Sequence, residues 1–225
     1  RIERDLPGTD KLSEFCINFY SELLWVIIRM SETGICMNHT ELLNIESELL
    51  NKCREANIAA TDSGYPLEGE GSGKAKQQLM DDAIDLIGDW MREGMELTPA
   101  KGLVSFTEGN RNKLQNALRG DIEGDRWELT KVFDAAKMHA GAQKIVSSYT
   151  YPLLRHRRNK PSDQTSKLIK INNKYIAYPT WYATPTYVKN DSGGSGGTLQ
   201  GRITCKKPSA QTFPPRIKNC ICSRF

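Results

Sequence analysis

The sequence NHTELLNIESELLNKCREANIAA, residues 38–60, carries the clearest helical signal in this chain of 225 residues. Asn38, followed three residues later by Glu41, has the pattern of a capping box, which is typical of a helix start. Behind this start, apolar residues recur at intervals of three and four, as on the buried face of an amphipathic helix. They are Leu42, Ile45, Leu49, Cys53 and Ala56. The pattern predicts a helix to about residue 60 whose other face is polar.

The same period predicts helices on both sides of this stretch. A helix capped by Thr9 or Asp10 should run to about Glu32 and stop at Gly34, and residues 35–37 should form a short connector. A glycine-rich loop is expected at residues 61–74. Further helices are predicted over residues 75–93, 109–119 and 125–154. Helix should therefore dominate the first 155 residues.

The pattern changes after residue 155. Residues 167–171 and 174–188 are rich in Ile, Tyr, Thr and Trp, and the Asn172–Asn173 pair between them is a turn signal. Residues 192–197 contain only Gly and Ser, which indicates a tether. Prolines at positions 208, 214 and 215 exclude a helix through the last segment. Short strands and loops are expected from here to the end, which predicts an α+β fold.

The charge is strongly segregated along the chain. Residues 151–225 contain 14 lysines and arginines but only two acidic residues, Asp163 and Asp191. The first 150 residues contain 17 basic and 25 acidic residues. Because a basic segment of this size attracts polyanions, nucleic acid is the expected partner of the C-terminal third.

Composition excludes several other classes of protein. No apolar run approaches the length of a membrane span, and no signal-peptide pattern is present, so we expect a soluble, intracellular protein without membrane contact. The six cysteines are scattered, which favours reduced thiols over a disulfide framework. Cys205, Cys220 and Cys222 have poor spacing for zinc. The three histidines lie on different predicted elements, so no base is placed beside a nucleophile.

Four segments, taken in order, resemble family A DNA polymerases, the polymerase I type. Residues 29–50, RMSETGICMNHTELLNIESELL, are similar to the entry into the thumb subdomain of that family. Residues 106–118, FTEGNRNKLQNAL, resemble its short thumb helix, and residues 144–154, KIVSSYTYPLL, resemble its Ser-Thr-Tyr, Pro-Leu helix end. Residues 198–214, TLQGRITCKKPSAQTFP, resemble the palm segment that precedes the first catalytic motif. Together they cover roughly residues 20–225.

The chain also departs from the pattern of this family. Lys206, Lys207 and Thr212 stand where the family more often has serine, asparagine and asparagine, and Val146 replaces a second lysine. Residues 61–102 exceed the compact bacterial thumb. These differences suggest a divergent member of the family, of a bacteriophage type. They affect the contacts expected of individual residues and not the resemblance to the family itself.

The resemblance implies three regions. Residues 1–28 would connect to a preceding exonuclease-like domain or be a palm helix, residues 29–155 would form a long helical thumb hairpin with extra helices, and residues 156–225 would form the basic, β-containing start of the palm. Such a chain would grip primer-template DNA without sequence preference in the cytoplasm of a bacterial or phage-infected cell. It would do so through phosphates and the minor-groove acceptors that all base pairs share.

Residue by residue, the resemblance implies a minor-groove contact at the primer terminus by Arg202, with Thr204 in the matched motif and Gln211 beside it. Further candidates for phosphate and backbone contacts are Lys206, Lys207, Arg216, Lys113, Asn110, Lys144, Ser147 and Ser148. Structural alternatives stay open for each of these residues. Arg202 could solvate the end of a strand, and Lys206 and Lys207 would be exposed whether or not they contact DNA. Ser147 and Ser148 could be ordinary surface residues.

Phosphoryl transfer by two metal ions needs carboxylates that hold both Mg²⁺ ions. In the family these lie in motifs downstream of the position that Phe225 occupies, and residues 192–225 contain no Asp or Glu. The catalytic residues and the Mg²⁺ ligands are therefore expected outside this chain, on a second polypeptide that carries the rest of palm and fingers or on a missing C-terminal part. That assembled enzyme would bind dNTP. The alternative function is a non-catalytic nucleic-acid-binding or assembly module.

Overall fold

The computed structural model describes residues 9–119, 124–154, 168–182, 204–206 and 209–223. The longer helices are α1 (Thr9–Thr33), α2 (His39–Asp62), α3 (Ser72–Ile87), α4 (Glu108–Leu118) and α5 (Asp125–Ile145). A π-helical turn (Val146–Thr150) links α5 to the short helix α6 (Tyr151–Leu154), and α7 spans Pro215–Lys218. Within the described ranges, no helix is both long and apolar enough to cross a membrane.

Helix α2 forms as its sequence predicts. The Glu41 amide donates to Asn38 Oδ1 at 3.1 Å, which satisfies one of the amides that have no partner at a helix start. The five apolar residues of the predicted stripe are all buried: Leu42, Ile45, Leu49, Cys53 and Ala56. The apolar period therefore identified the face of this helix that packs into the protein.

Two small antiparallel sheets complete the α+β fold. Strands β1 (Ile35–Met37), β3 (Lys174–Ala177) and β2 (Ile169–Ile171) form one sheet in that order, and β4 (Thr180–Tyr182) pairs with β5 (Thr204–Lys206) in the other. Asn172 and Asn173 have φ angles of 47° and 61°, as a two-residue hairpin turn requires. The predicted turn is confirmed, whereas the residues predicted as a connector form β1.

Gly34 allows the chain to pass from α1 into β1. Its φ is +65°, and a Cβ atom at this position would lie 2.6 Å from Ile176 Cγ2 and 2.8 Å from the Ala177 carbonyl oxygen. Any side chain would therefore clash with β3 in addition to adopting a strained backbone. This explains why the helix ends at a glycine and why β1 can lie so close to β3.

Three other boundaries differ from prediction. The third helix ends at Ile87 instead of about residue 93, because Gly88 takes a φ of 126° that a helix cannot contain, and a short 3₁₀ helix (Asp89–Arg92) follows. The helix predicted over residues 125–154 changes its hydrogen-bonding pattern at the π-helical turn. The proline-rich end contains α7, since Pro215 occupies the first helical position, where a missing N–H costs nothing.

The chain divides into two compact units. One comprises Arg1–Ile45 with Ser148–Phe225, and the other comprises Glu46–Ser147. The core of the second unit is built from buried residues of α2, α3, α4 and α5, among them Leu79, Ile84, Leu114, Leu118 and Phe133. This division separates residues 29–45 from the helices that the resemblance groups with them in a thumb.

Candidate nucleic-acid interface

A cationic groove lies between α4 and α5 in the unit Glu46–Ser147. Thr107 is the N-cap of α4, and its side chain accepts a hydrogen bond from the Asn110 amide. One turn further, Arg111 lies over the Phe106 ring, with its guanidinium carbon 5.0 Å from the ring centroid. Its Nη1 donates to the Ala136 carbonyl oxygen on α5 at 3.0 Å, and its Nε donates to the Thr107 carbonyl oxygen at 3.4 Å. These contacts hold the guanidinium in a fixed orientation.

Partial burial lowers the pKa of Arg111, while the negative charge of Glu108 acts in the opposite direction. An arginine starts from so high a pKa that it keeps its charge at neutral pH despite such a shift. Arg111 therefore presents a permanent, partly desolvated positive charge at the groove. Electrostatic contacts of such a group are stronger than those of a fully hydrated lysine.

The opposite wall of the groove comes from α5. Lys137 and Lys144 are seven residues apart, so they share one helix face and are separated by about 10 Å along the axis. Ala140 and Gly141 lie between them, and Phe133 contributes to the lining of a cavity of about 460 Å³. A Cβ atom at Gly141 would meet nothing within 4 Å, so the small residues leave open space between the two lysines.

The groove has the charge and dimensions to bind a phosphate chain. Arg111, Lys137 and Lys144 face one acidic residue in the lining, Glu108. In the part of the chain that the structure describes, neither lysine is paired with a carboxylate. At about 10 Å apart along α5, the two lysines can contact different phosphates of one strand.

Some of the DNA-contact residues predicted from the sequence lie at the groove, and others in this unit do not. Lys144 lies in the groove, and Ser147 is exposed one turn later, where its Oγ donates to the Lys144 carbonyl oxygen at 3.4 Å. Lys113 is exposed but lies outside the groove lining, and its Nζ donates to the Gly94 carbonyl oxygen at 2.6 Å. Lys144 and Ser147 are thus one turn apart, whereas Lys113 does not share their surface.

Asn110 requires a correction, because it is only 1% exposed. Its Nδ2 donates to the carbonyl oxygens of Glu96 and Ser105 at 2.8 and 2.9 Å, and its Oδ1 accepts from the Glu96 amide at 3.1 Å. Both donors of the side-chain amide are therefore used inside the protein. Asn110 holds the segment before α4 in place and has no donor left for DNA.

The remaining predicted residues belong to the other unit. Ser148, Gln211 and Arg216 are exposed. Thr204 and Lys206 are the ends of β5, opposite Tyr182 and Thr180 of β4. Arg202 and Lys207 lie outside the described residues. Tyr149, next to Ser148, is half-buried, and its ring lies edge-on to Phe213 with the centroids 5.9 Å apart.

Sequence reasoning missed Arg111 and Lys137. The seven-residue spacing of Lys137 and Lys144 was a detectable signal for a shared helix face. No comparable signal existed for Arg111, since its orientation depends on Ala136, 25 residues away in the sequence.

A larger cavity in the same unit has the opposite charge. It has a volume of about 550 Å³ and is lined by the carboxylates of Asp62, Asp82, Asp85, Asp125 and Glu128. Burial raises the pKa of Tyr65 to about 12, helped by the hydrogen bond that its hydroxyl donates to Asp82 at 2.6 Å. In the described ranges, no group of three potential ligands is arranged to hold a metal ion. Because this cleft would repel phosphates, it is not the candidate interface.

A cysteine, a histidine and a glutamate also meet in this unit, but their geometry does not suit nucleophilic catalysis. His139 Nε2 lies 2.8 Å from Glu68 Oε1. The Cys53 thiol, however, donates to the His139 carbonyl oxygen at 3.8 Å and to Gln143 Oε1 at 3.6 Å, so these bonds do not involve the imidazole ring. Burial raises the pKa of Cys53, and the charge of Glu68 adds to this shift. An activated thiol would need the opposite shift.

Comparison with known proteins adds no assignment. No protein-family model, curated protein or solved structure matches this chain. The likeness to family A polymerases consequently stays a hypothesis that rests on the four sequence segments.

Proposed function

We propose that this chain is the DNA-binding portion, thumb and partial palm, of a DNA-directed DNA polymerase, and that it grips primer-template DNA during nucleotidyl transfer. The observation that carries the proposal is the position of Lys144. This lysine of the KIVSSYTYPLL segment lies in one groove with Arg111 and Lys137. Two lysines about 10 Å apart on one wall and an arginine on the other suit a phosphate backbone. The basic C-terminal third, with 14 lysines and arginines, supports a polyanionic partner.

Catalysis is assigned to groups outside this chain. The likeness to family A polymerases implies that the catalytic carboxylates lie in motifs that follow the palm-like segment, and residues 192–225 contain no Asp or Glu. The chain's own contribution is to bind and orient the duplex, while Mg²⁺, dNTP and the catalytic carboxylates would belong to the assembled enzyme. The cytoplasm of a bacterial or phage-infected cell is the proposed location.

Duplex binding should depend steeply on salt. Each phosphate neutralised by a lysine or arginine releases counterions, so three groove contacts alone give a slope of about −2.7 for log K against log salt. Fluorescence anisotropy of a labelled primer-template duplex across a KCl series measures this slope. Two duplexes of equal length and different sequence should bind with affinities within about twofold, because phosphate contacts carry no sequence information. Salt-independent binding, or strong preference for one sequence, would contradict the proposal.

The second candidate function is a non-catalytic nucleic-acid-binding or assembly module. Both functions use the cationic groove, and they differ in whether a second polypeptide completes a catalytic site. Mixing the chain with the polypeptide that supplies a palm carboxylate motif, then measuring primer extension with Mg²⁺ and dNTP, separates the two. Extension that requires both polypeptides supports the polymerase. DNA binding without extension in the complete mixture supports the module.

A further inference from the structure

Two cysteines far apart in the sequence lie side by side in the unit that contains β1. Cys36 is the central residue of β1, and Cys222 follows α7. Their sulfur atoms are 3.3 Å apart, and the Cys222 thiol donates a hydrogen bond to Cys36 Sγ. The contact joins residues 186 positions apart. We propose that Cys36 and Cys222 form an oxidisable dithiol, a modification site that closes to a disulfide under hydroperoxides.

The backbone holds these residues in a suitable register. Met37 and Ile221 form an antiparallel bridge, which places Cys36 directly opposite Cys222. The Cys222 amide donates to the Cys36 carbonyl oxygen at 3.0 Å, and the Asn38 amide donates to the Cys220 carbonyl oxygen at 2.7 Å. Residues opposite each other in antiparallel strands have Cα atoms about 4.5–5.5 Å apart, which lies within the range for disulfides. Closing the bond requires the two sulfur atoms to approach from 3.3 Å to about 2.05 Å.

Both cysteines lie at one surface pocket. Cys36 is 5% exposed, but it and the exposed Cys222 both line a pocket of about 280 Å³. Lys174 and Tyr175 line the same pocket. We take this pocket as the route by which a small oxidant reaches the pair, since the buried Cys53 and Cys220 do not line it.

The surroundings slow the oxidation of the pair. Burial raises the pKa of Cys222 most, and the hydrogen bond with Cys36 raises it further, whereas the positive charge of Lys174 acts against both. The thiolate is therefore a minor species at neutral pH, so the pair reacts slowly with weak oxidants. Hydroperoxides can still oxidise the small thiolate fraction.

The reaction balances in two steps. The Cys222 thiolate attacks one peroxide oxygen, an S–O bond forms while the O–O bond breaks, and the other oxygen leaves as hydroxide and takes a proton. The Cys36 thiolate then attacks the sulfenic sulfur, an S–S bond forms while the S–O bond breaks, and hydroxide again leaves as water. The two sulfur atoms lose two electrons in total, and the peroxide gains them.

The test uses the full chain, reduced and folded, with hydrogen peroxide as the probe. After oxidation, free thiols are blocked with N-ethylmaleimide and the protein is digested with trypsin. Cys36 is the only cysteine in the peptide of residues 30–52, and the peptide of residues 219–224 contains Cys220 and Cys222. Linkage of these two peptides should exceed that of any other cysteine pair by at least about tenfold, because preorganised thiols react at high effective concentration. Dithiothreitol should reverse it.

Variants and fragmentation identify the sulfur atoms involved. Cys222→Ser and Cys36→Ser should abolish the linked peptide, and Cys220→Ser is the matched control that should retain it. Fragment ions that separate Cys220 from Cys222 make the same assignment in the unsubstituted protein, whether or not the variants fold. Linkage through Cys220, equal yield in concentrated urea, or linkage only between molecules would each overturn the proposal. The outcome is independent of the DNA-binding measurements.

Discussion

Replacing Lys137 and Lys144 together with alanine should lower the affinity for duplex DNA by about 60-fold at about 0.1 M salt. This value follows from counterion release, because each lost phosphate contact removes about 0.9 from the salt slope and about a factor of eight in affinity at that salt concentration. The slope of log K against log salt should become shallower by about 1.8. Anisotropy titrations of the wild type and the variant across the same KCl series measure both quantities.

Lys74 and Lys101 provide a matched control. Both are exposed, both belong to the unit Glu46–Ser147, and neither lines the groove. Their double alanine variant loses the same net charge, so it reports any long-range effect of charge on binding. We expect its affinity to stay within about threefold of wild type at this salt concentration, where the Debye length is about 10 Å. Equal losses in the two double variants would show that the groove is not the binding surface.

Local sequence patterns predicted much of the fold. The capped start of α2 and its buried stripe follow from contacts within one or two helical turns, and the Asn172–Asn173 turn follows from the ability of asparagine to adopt positive φ. The end of α3 was misplaced because the apolar pattern continues past Gly88, whereas the helical backbone does not. Local sequence rules predict an element correctly where the tertiary contacts favour the same local structure.

The candidate interface was less predictable, because long-range contacts determine it. Lys144 was identified by resemblance, but Arg111 reaches the groove only through its bond to Ala136. Asn110 was assigned to DNA because it belongs to the segment, residues 106–118, that resembles the short thumb helix of family A polymerases. The segment that buries it, from Glu96 to Ser105, carries no sequence signal for that contact. The Cys36–Cys222 contact was likewise hidden by its sequence separation of 186 residues.

Asn110→Ala should lower the free energy of unfolding by about 3 kcal/mol. The side chain makes three hydrogen bonds to the backbone of Glu96 and Ser105, and each such bond contributes about 1 kcal/mol net. Alanine leaves these backbone groups without their partner and leaves a space where the amide was. Urea denaturation followed by circular dichroism gives the difference from the shift in midpoint at constant slope.

Two further variants separate lost hydrogen bonds from other effects. Asn116→Ala removes the same side chain from an exposed position on α4, and it should change stability by less than about 0.5 kcal/mol, since alanine favours the helix. Asn110→Asp keeps the volume but places a carboxylate against two carbonyl oxygens, so it should destabilise at least as much as alanine. If Asn110 contacted DNA instead, Asn110→Ala would weaken DNA binding and leave the urea midpoint unchanged. Unchanged stability together with weaker DNA binding would therefore support a DNA contact by Asn110. A loss of stability with normal DNA affinity in the folded protein would show that Asn110 holds the segment before α4.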